Sequence, residues 1–99
     1  MFTPGYYITA ELRVKDPEQI ELASIKLTEL SHKTLQEPGC SIFVVHHDRA
    51  TPTRFVLWER FTCEEALKEH FAASHTKDYV ALDLTEVVQY FQTNLADAQ

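Results

Sequence analysis

His70 and His75 stand five residues apart, one late in an expected helix and one where that helix breaks. Imidazole changes charge near neutral pH, so a pair turned toward one gap would offer proton acceptors for general-base chemistry. The structural alternative is that His70 packs at the core edge and that His75, near a helix C-terminus, stabilises the helix dipole. A metal is not expected. Residues i and i+5 on an unbroken helix diverge, unlike the i, i+4 pair of His-Glu-x-x-His, and the adjacent His46 and His47 on a strand point to opposite faces. Cys40 and Cys63 are too few for a disulfide scaffold and form no zinc-type cluster, so both thiols are expected to be reduced and buried.

Glu59 lies mid-strand between Trp58 and Arg60, on the face of Phe55, Leu57 and Phe61. A carboxylate among aromatics must be paired, hydrogen-bonded or protonated. It is either a general base with a raised pKa or half of an interface salt bridge, for instance with Arg13 or Arg54. Trp58 and Tyr79 could line an aromatic pocket, although aromatic residues of a small domain also serve as core. Nucleophilic Ser/His/Asp spacing, phosphate loops and dinucleotide fingerprints are missing, so any chemistry must proceed without nucleotide binding of the familiar kind.

Seven elements must position these groups. Residues 6–14 alternate strictly, with Tyr6, Ile8, Ala10, Leu12 and Val14 on one face, which predicts a half-buried strand. Asp16-Pro17 reads as a helix start, with Asp16 as cap and Gln19 at capping-box spacing. Ile20, Ala23, Leu27, Leu30 and Thr34 recur at helical spacing, with Leu22 and Ile25 widening the stripe, and the helix closes near Leu35 before Glu37-Pro38-Gly39. Cys40–His47 and Arg54–Phe61 read as a hairpin around a wide turn. Thr62 is expected to begin the next helix with Glu65 as capping partner, and Ala66, Leu67, His70, Phe71 and Ser74 trace its broad side. A further helical stretch runs from about Thr76 to Leu84, Glu86 to Asn94 is the last strand, and Leu95 to Gln99 is a frayed tail.

The order β-α-β-β-α-β predicts an α+β, ferredoxin-like split βαβ domain over residues 1–99, with helices on one face of four antiparallel strands. The two middle strands carry apolar residues on both faces: Ile42 and Val44 oppose Phe43 and Val45, and Val56 and Trp58 oppose Phe55, Leu57 and Phe61. One helical layer covers only one face, and a second copy of the chain is the simplest cover for the other. That packing would make a dimeric α+β barrel with the helices outside.

Composition narrows the partners. Nine Lys+Arg against 15 Asp+Glu leave a net charge of −6 in 99 residues. Such a field repels phosphate backbones and anionic membrane surfaces, and no basic cluster offsets it, so neither nucleic acid nor membrane is expected as a partner. No apolar run approaches the ~20 residues of a membrane span. Met1 to Tyr7 lacks the pattern of a secretory signal, which leaves the cytoplasm as the expected location.

Several segments together resemble one family: Ala10-Glu11-Leu12-Arg13, Glu37-Pro38-Gly39-Cys40, Trp58-Glu59-x-Phe61 and His70-x-x-x-Ser74-His75. Their order and spacing resemble the antibiotic biosynthesis monooxygenase domain, including the bacterial quinol monooxygenases, over residues 6 to 95. The resemblance implies a homodimeric α+β barrel that oxidises small aromatic or quinol substrates with O₂ and no metal, flavin or other cofactor. It assigns His70, His75 and Glu59 to catalysis and Trp58, Tyr79, Phe71 and Ser74 to substrate binding. The haem-degrading branch departs from this chain, having Trp where His70 stands and His where Val80 stands. A branch that isomerises a phosphorylated dione shares the histidine spacing and would call on Lys77, Arg54 or Arg60 for its phosphate. Other members bind small molecules without catalysis.

Overall fold

The computed structural model describes residues 2–97. Strand β1 (Tyr6–Val14) leads through a 3₁₀ turn (Pro17–Gln19) into helix α1 (Ile20–Thr34). Strands β2 (Cys40–His47) and β3 (Arg54–Phe61) follow, then helices α2 (Glu64–Ala72) and α3 (Ser74–Ala81), and finally β4 (Thr85–Thr93). The four strands form one antiparallel sheet in the order β2-β3-β1-β4, so the chain has the ferredoxin-like α+β arrangement. Among the described residues, no helix is long and apolar enough to cross a membrane.

The alternation of β1 sends Ile8, Ala10, Leu12 and Val14 into the core, where they meet Phe55, Leu57 and Phe61 of β3 and Ala23, Leu27 and Leu30 of α1. Leu27, Phe55 and Phe61 are fully enclosed, and burying each such side chain contributes about 1.5–3 kcal/mol. Leu22 and Ile25, expected to widen the buried stripe of α1, face outward instead. Asp16 caps the first turn by accepting from the Glu18 backbone N–H at 2.9 Å, and Pro17 follows it, as the sequence predicts.

The sheet's other face is open in the single chain. Register pairs Trp58 with Thr9 on one side and Val44 on the other, and pairs Thr9 with Phe91. Trp58 remains 50% exposed there, and Val44 and Phe91 are similarly bare. His46 packs its ring against Trp58 on this face while His47 stacks on Phe55 on the helix side, so the two adjacent histidines do point apart.

A bulge decides what β4 presents. Glu11 pairs with Gln89 but Leu12 pairs with Val87, leaving Val88 as the extra residue. The bulge re-phases the strand, so Val87 and Tyr90 both reach the helix side despite an odd spacing that regular pleating would split between faces.

Several boundaries differ from the sequence expectations. Helix α2 starts at Glu64 with Cys63 at its cap, not at Thr62, whose N–H instead extends the β2–β3 pairing by bonding the Gly39 carbonyl at 2.8 Å. Cys63 is consequently exposed, whereas Cys40 is buried as expected. Helix α3 spans Ser74–Ala81, starting earlier than Thr76 and ending before Leu84. Strand β4 begins at Thr85 and ends at Thr93, one residue ahead of the expected span. The last two residues of the expected frayed tail lie outside the described residues.

Candidate functional site

A cavity of about 360 Å³ lies between the helices and the sheet. Ala10 and Leu57 form part of its floor, Leu30 of α1 and Leu67 of α2 its sides, and Val80, Val87 and Tyr90 its rim. The helices cover β1 and β3 but stop short of β4, which leaves Val87 and Tyr90 exposed at the mouth. The polar groups reaching this apolar space are few: Glu59, His70, Thr76, Tyr79 and Gln92. A small number of placed polar groups in an apolar hollow is the usual form of a small-molecule site.

Glu59 is 6% exposed and faces the cavity from β3. Burial, reinforced by the negative charge of Glu37, pushes its carboxyl up to about 8. Neither expected arginine reaches it: Arg13 pairs with Glu86, and Arg54 pairs with Glu11 and Asp48 at the sheet edge. Within the chain, Glu59 is therefore unpaired by either arginine, and burial accounts for its raised pKa. At neutral pH the group is predominantly a carboxylic acid, able to donate a proton and to take it back.

His70 sits on the buried side of α2 among the rings of Phe43, Phe61 and Phe71, with ring centroids 5.3–5.7 Å away. Its Nδ1 lies 2.8 Å from Oε2 of Glu37. His75 approaches the same oxygen with its Nε2 at 2.5 Å. A carboxylate oxygen accepts, so both rings donate to it. The Thr76 hydroxyl stands 3.3 Å from His70 Nδ1, a more distant contact.

The convergence of the two histidines depends on Ala73. With φ −68° and ψ 145°, that single residue is extended between α2 and α3, so five positions no longer mean divergent directions on one helix. His75 does not reach the cavity. It lines a separate groove of about 240 Å³ between α1 and α3, beside Lys26 and Lys33.

Glu37 is the residue the sequence argument missed. Glu37-Pro38-Gly39 was taken only as the end of α1, although it forms part of a motif that carried the family resemblance. Its position is built by short-range contacts: the Glu37 N–H donates to Thr34 O at 2.9 Å, and its own carbonyl accepts from Cys40 N–H at 3.1 Å. Gly39 brings the loop hard against α2, for a Cβ on it would come within 2.4 Å of the Ala66 Cβ. Ala66 and His70 share a helix face at i, i+4, so this contact sets the loop beside the ring.

Of the remaining expected site residues, Tyr79 and Phe71 line the cavity. Burial raises the Tyr79 phenol, whose hydroxyl is engaged by Thr85 Oγ1 at 2.7 Å, so it offers the site mainly its ring. Trp58 does not wall this cavity. It follows Leu57 by one pleat and lies on the opposite face of the sheet. Ser74 opens α3 and lines none of the hollows described here.

Among the described residues, Glu37, His70 and His75 also form a group whose chemistry could hold a metal, their three donor atoms lying within 4.8 Å of one another. Ligands about 2.0–2.1 Å from a tetrahedral zinc sit ~3.3 Å apart. The carboxylate–imidazole separations of 2.8 and 2.5 Å are hydrogen-bond lengths, so the side chains would have to spread to admit an ion.

Residues 5–82 match the family model described as antibiotic biosynthesis monooxygenase. The chain is 32% identical over 92 residues to YjcS of Bacillus subtilis (strain 168), a protein named as uncharacterised, with 93% of this chain and 88% of that one aligned. The solved structure of YjcS superposes with a TM-score of 0.84 at 31% identity, covering 91% of this chain and 97% of that one. A crystal structure named antibiotic biosynthesis monooxygenase gives 0.77 at 26% identity, with coverage of 91% and 95%. With the family model matching most of the chain and a relative 32% identical over 93% of it, the chain belongs to the antibiotic biosynthesis monooxygenase family.

Proposed function

We propose that this protein is a monooxygenase that uses O₂, without a cofactor, to oxidise a small hydroxylated aromatic such as an anthrone or a hydroquinone. The observation that carries the reading is the cavity itself: apolar, ring-lined, and furnished with one imidazole and one carboxylic acid. An aromatic substrate with acidic protons supplies its own electrons once it is deprotonated. His70 takes the first proton, and the resulting carbanion passes one electron to O₂. The radical pair combines to a C–O bond, and the protonated base returns its proton to give a hydroperoxide. His70 then removes the remaining C–H proton, the O–O bond breaks, and Glu59 protonates the departing hydroxide. The proton held by His70 finally returns to Glu59. For an anthrone the sum is R₂CH₂ + O₂ → R₂C=O + H₂O, with one oxygen atom in the product and one in water. The apolar walls orient the flat substrate and keep bulk water from its anion.

The phosphorylated-dione isomerase reading has less support. Among the described residues lining the cavity there is no Lys or Arg. Arg54 is held by Glu11 and Asp48, Arg60 donates to Ser41 Oγ and to the Pro4 carbonyl, and Lys77 lies elsewhere on α3.

The reading includes a homodimer closed through the open sheet face, where Trp58, Val44 and Phe91 would be buried between two copies. The deciding experiment is O₂ uptake with menadiol and with an anthrone, run with ¹⁸O₂. One ¹⁸O atom per product molecule supports the proposal. Turnover of a phosphorylated dione without oxygen, or thermal stabilisation by these aromatics with no turnover, overturns it.

A further inference from the structure

We infer that Glu37 is the positioning residue of this site: it fixes the tautomer of His70, and His75 acts on Glu37 and not on substrate. The inference rests on the proposed oxygenase reading for its catalytic meaning, but its structural content is independent of any substrate.

An isolated imidazole can carry its single proton on either nitrogen, and only the bare nitrogen can act as a base. Glu37 Oε2, 2.8 Å from His70 Nδ1, draws the proton to Nδ1 and leaves Nε2 as the basic atom. The Thr76 hydroxyl at 3.3 Å cannot reverse this, because a hydroxyl both donates and accepts and will turn to suit the ring. When Nε2 takes up a substrate proton, the adjacent carboxylate stabilises the positive ring. This is the role of the acidic member of a Ser-His-Asp triad, played here without a serine.

His75 completes the arrangement from the other side. Its Nε2 donates to the same Oε2 at 2.5 Å, so the carboxylate is pinned between two rings and cannot rotate away from His70. His75 faces the α1–α3 groove and His70 faces the cavity. The two histidines therefore have different duties, although their sequence positions suggested one shared duty. Burial favours the assignment, since the side chains of His70 and Glu37 are 4% and 15% exposed and little water competes for either.

Nitrogen-15 NMR of the histidine rings in the substrate-free protein tests this directly. His70 is expected as the Nδ1–H tautomer, the minor form of free histidine, and His75 as a ring protonated on Nε2. Glu37→Gln should reduce the Nδ1–H share of His70 and lower kcat for O₂ uptake by about 10²-fold or more, with KM little changed. Finding His70 protonated on Nε2 with Nδ1 bare in the unaltered protein overturns the inference even if Glu37→Gln fails to fold. So does stoichiometric Zn²⁺ uptake that shifts both rings. An Nδ1–H tautomer in a protein that consumes no O₂ leaves this assignment standing and removes the oxygenase reading instead.

Discussion

His70 and Glu37 meet at 2.8 Å although thirty-three residues of chain separate them. Helix α2 supplies the ring and the loop after α1 supplies the carboxylate. Gly39 against Ala66 is the contact that brings the two together. His70 lines the apolar cavity and Glu37 contacts its Nδ1 from outside the lining, with both side chains largely shielded from water.

Glu59 gives stability a particular pH dependence. Its carboxyl rises from 4.5 to about 8 on folding, so between those values the folded chain holds a proton that the unfolded chain has lost. Stability therefore falls as pH rises through that window, with a slope approaching about 1.4 kcal/mol per pH unit, and levels off above it. Denaturant titrations from pH 5 to 9 should show this component in the native protein and lose it in Glu59→Gln. Parallel curves for the two proteins would contradict the burial argument.

Replacing the histidines one at a time should separate their effects. His70→Ala is expected to lower O₂ uptake by about 10²–10⁴-fold, the range for losing a general base. His75→Ala should cost less, since it removes one anchor of Glu37 and leaves the base in the cavity. Steady-state kinetics with menadiol provides the comparison, and an equal loss for both variants would place His75 at the substrate.

Gly39→Ala should destabilise the fold by about 1–3 kcal/mol, the usual cost of forcing extra atoms into a packed contact. Its new Cβ meets the Ala66 Cβ, so Ala66→Gly in the same chain should recover much of the loss. A double-mutant cycle in urea measures the coupling, and simple additivity would show that the loop does not press on α2.

Trp58→Lys probes the open sheet face. In the proposed dimer a cation placed there would be buried between two copies of the sheet, so sedimentation should report a dimer for the native chain and a monomer for the variant. The side chain lies outside the cavity, and the variant is expected to remain folded. A native chain that sediments as a monomer would remove this interface from the proposal.

Much of the fold was legible because alternation and helical spacing are local properties. The strictly alternating Tyr6–Val14 and the β2–β3 hairpin appear at the expected positions, as does the order of the elements. Glu59 was legible too, since its neighbours Phe55, Leu57 and Phe61 fix its face by parity alone. Trp58 was misplaced although the same parity puts it on the other face. Thr62 looked like a cap by residue type, but its backbone still belongs to the β2–β3 pairing through Gly39. Glu37 and the bulge at Val88 escaped detection for a different reason. Each depends on where distant segments pack, and no short-range pattern encodes that.

The extended residue Ala73 has a consequence for how such a chain can diverge. A helix advances about 100° per residue. One amino acid gained or lost at that joint would swing the imidazole beyond it by more than a quarter turn, while the sheet and the first helix stayed as they are. Relatives of equal fold could thus exchange one chemistry for another by a change in length, with every reactive side chain still spelled out in order.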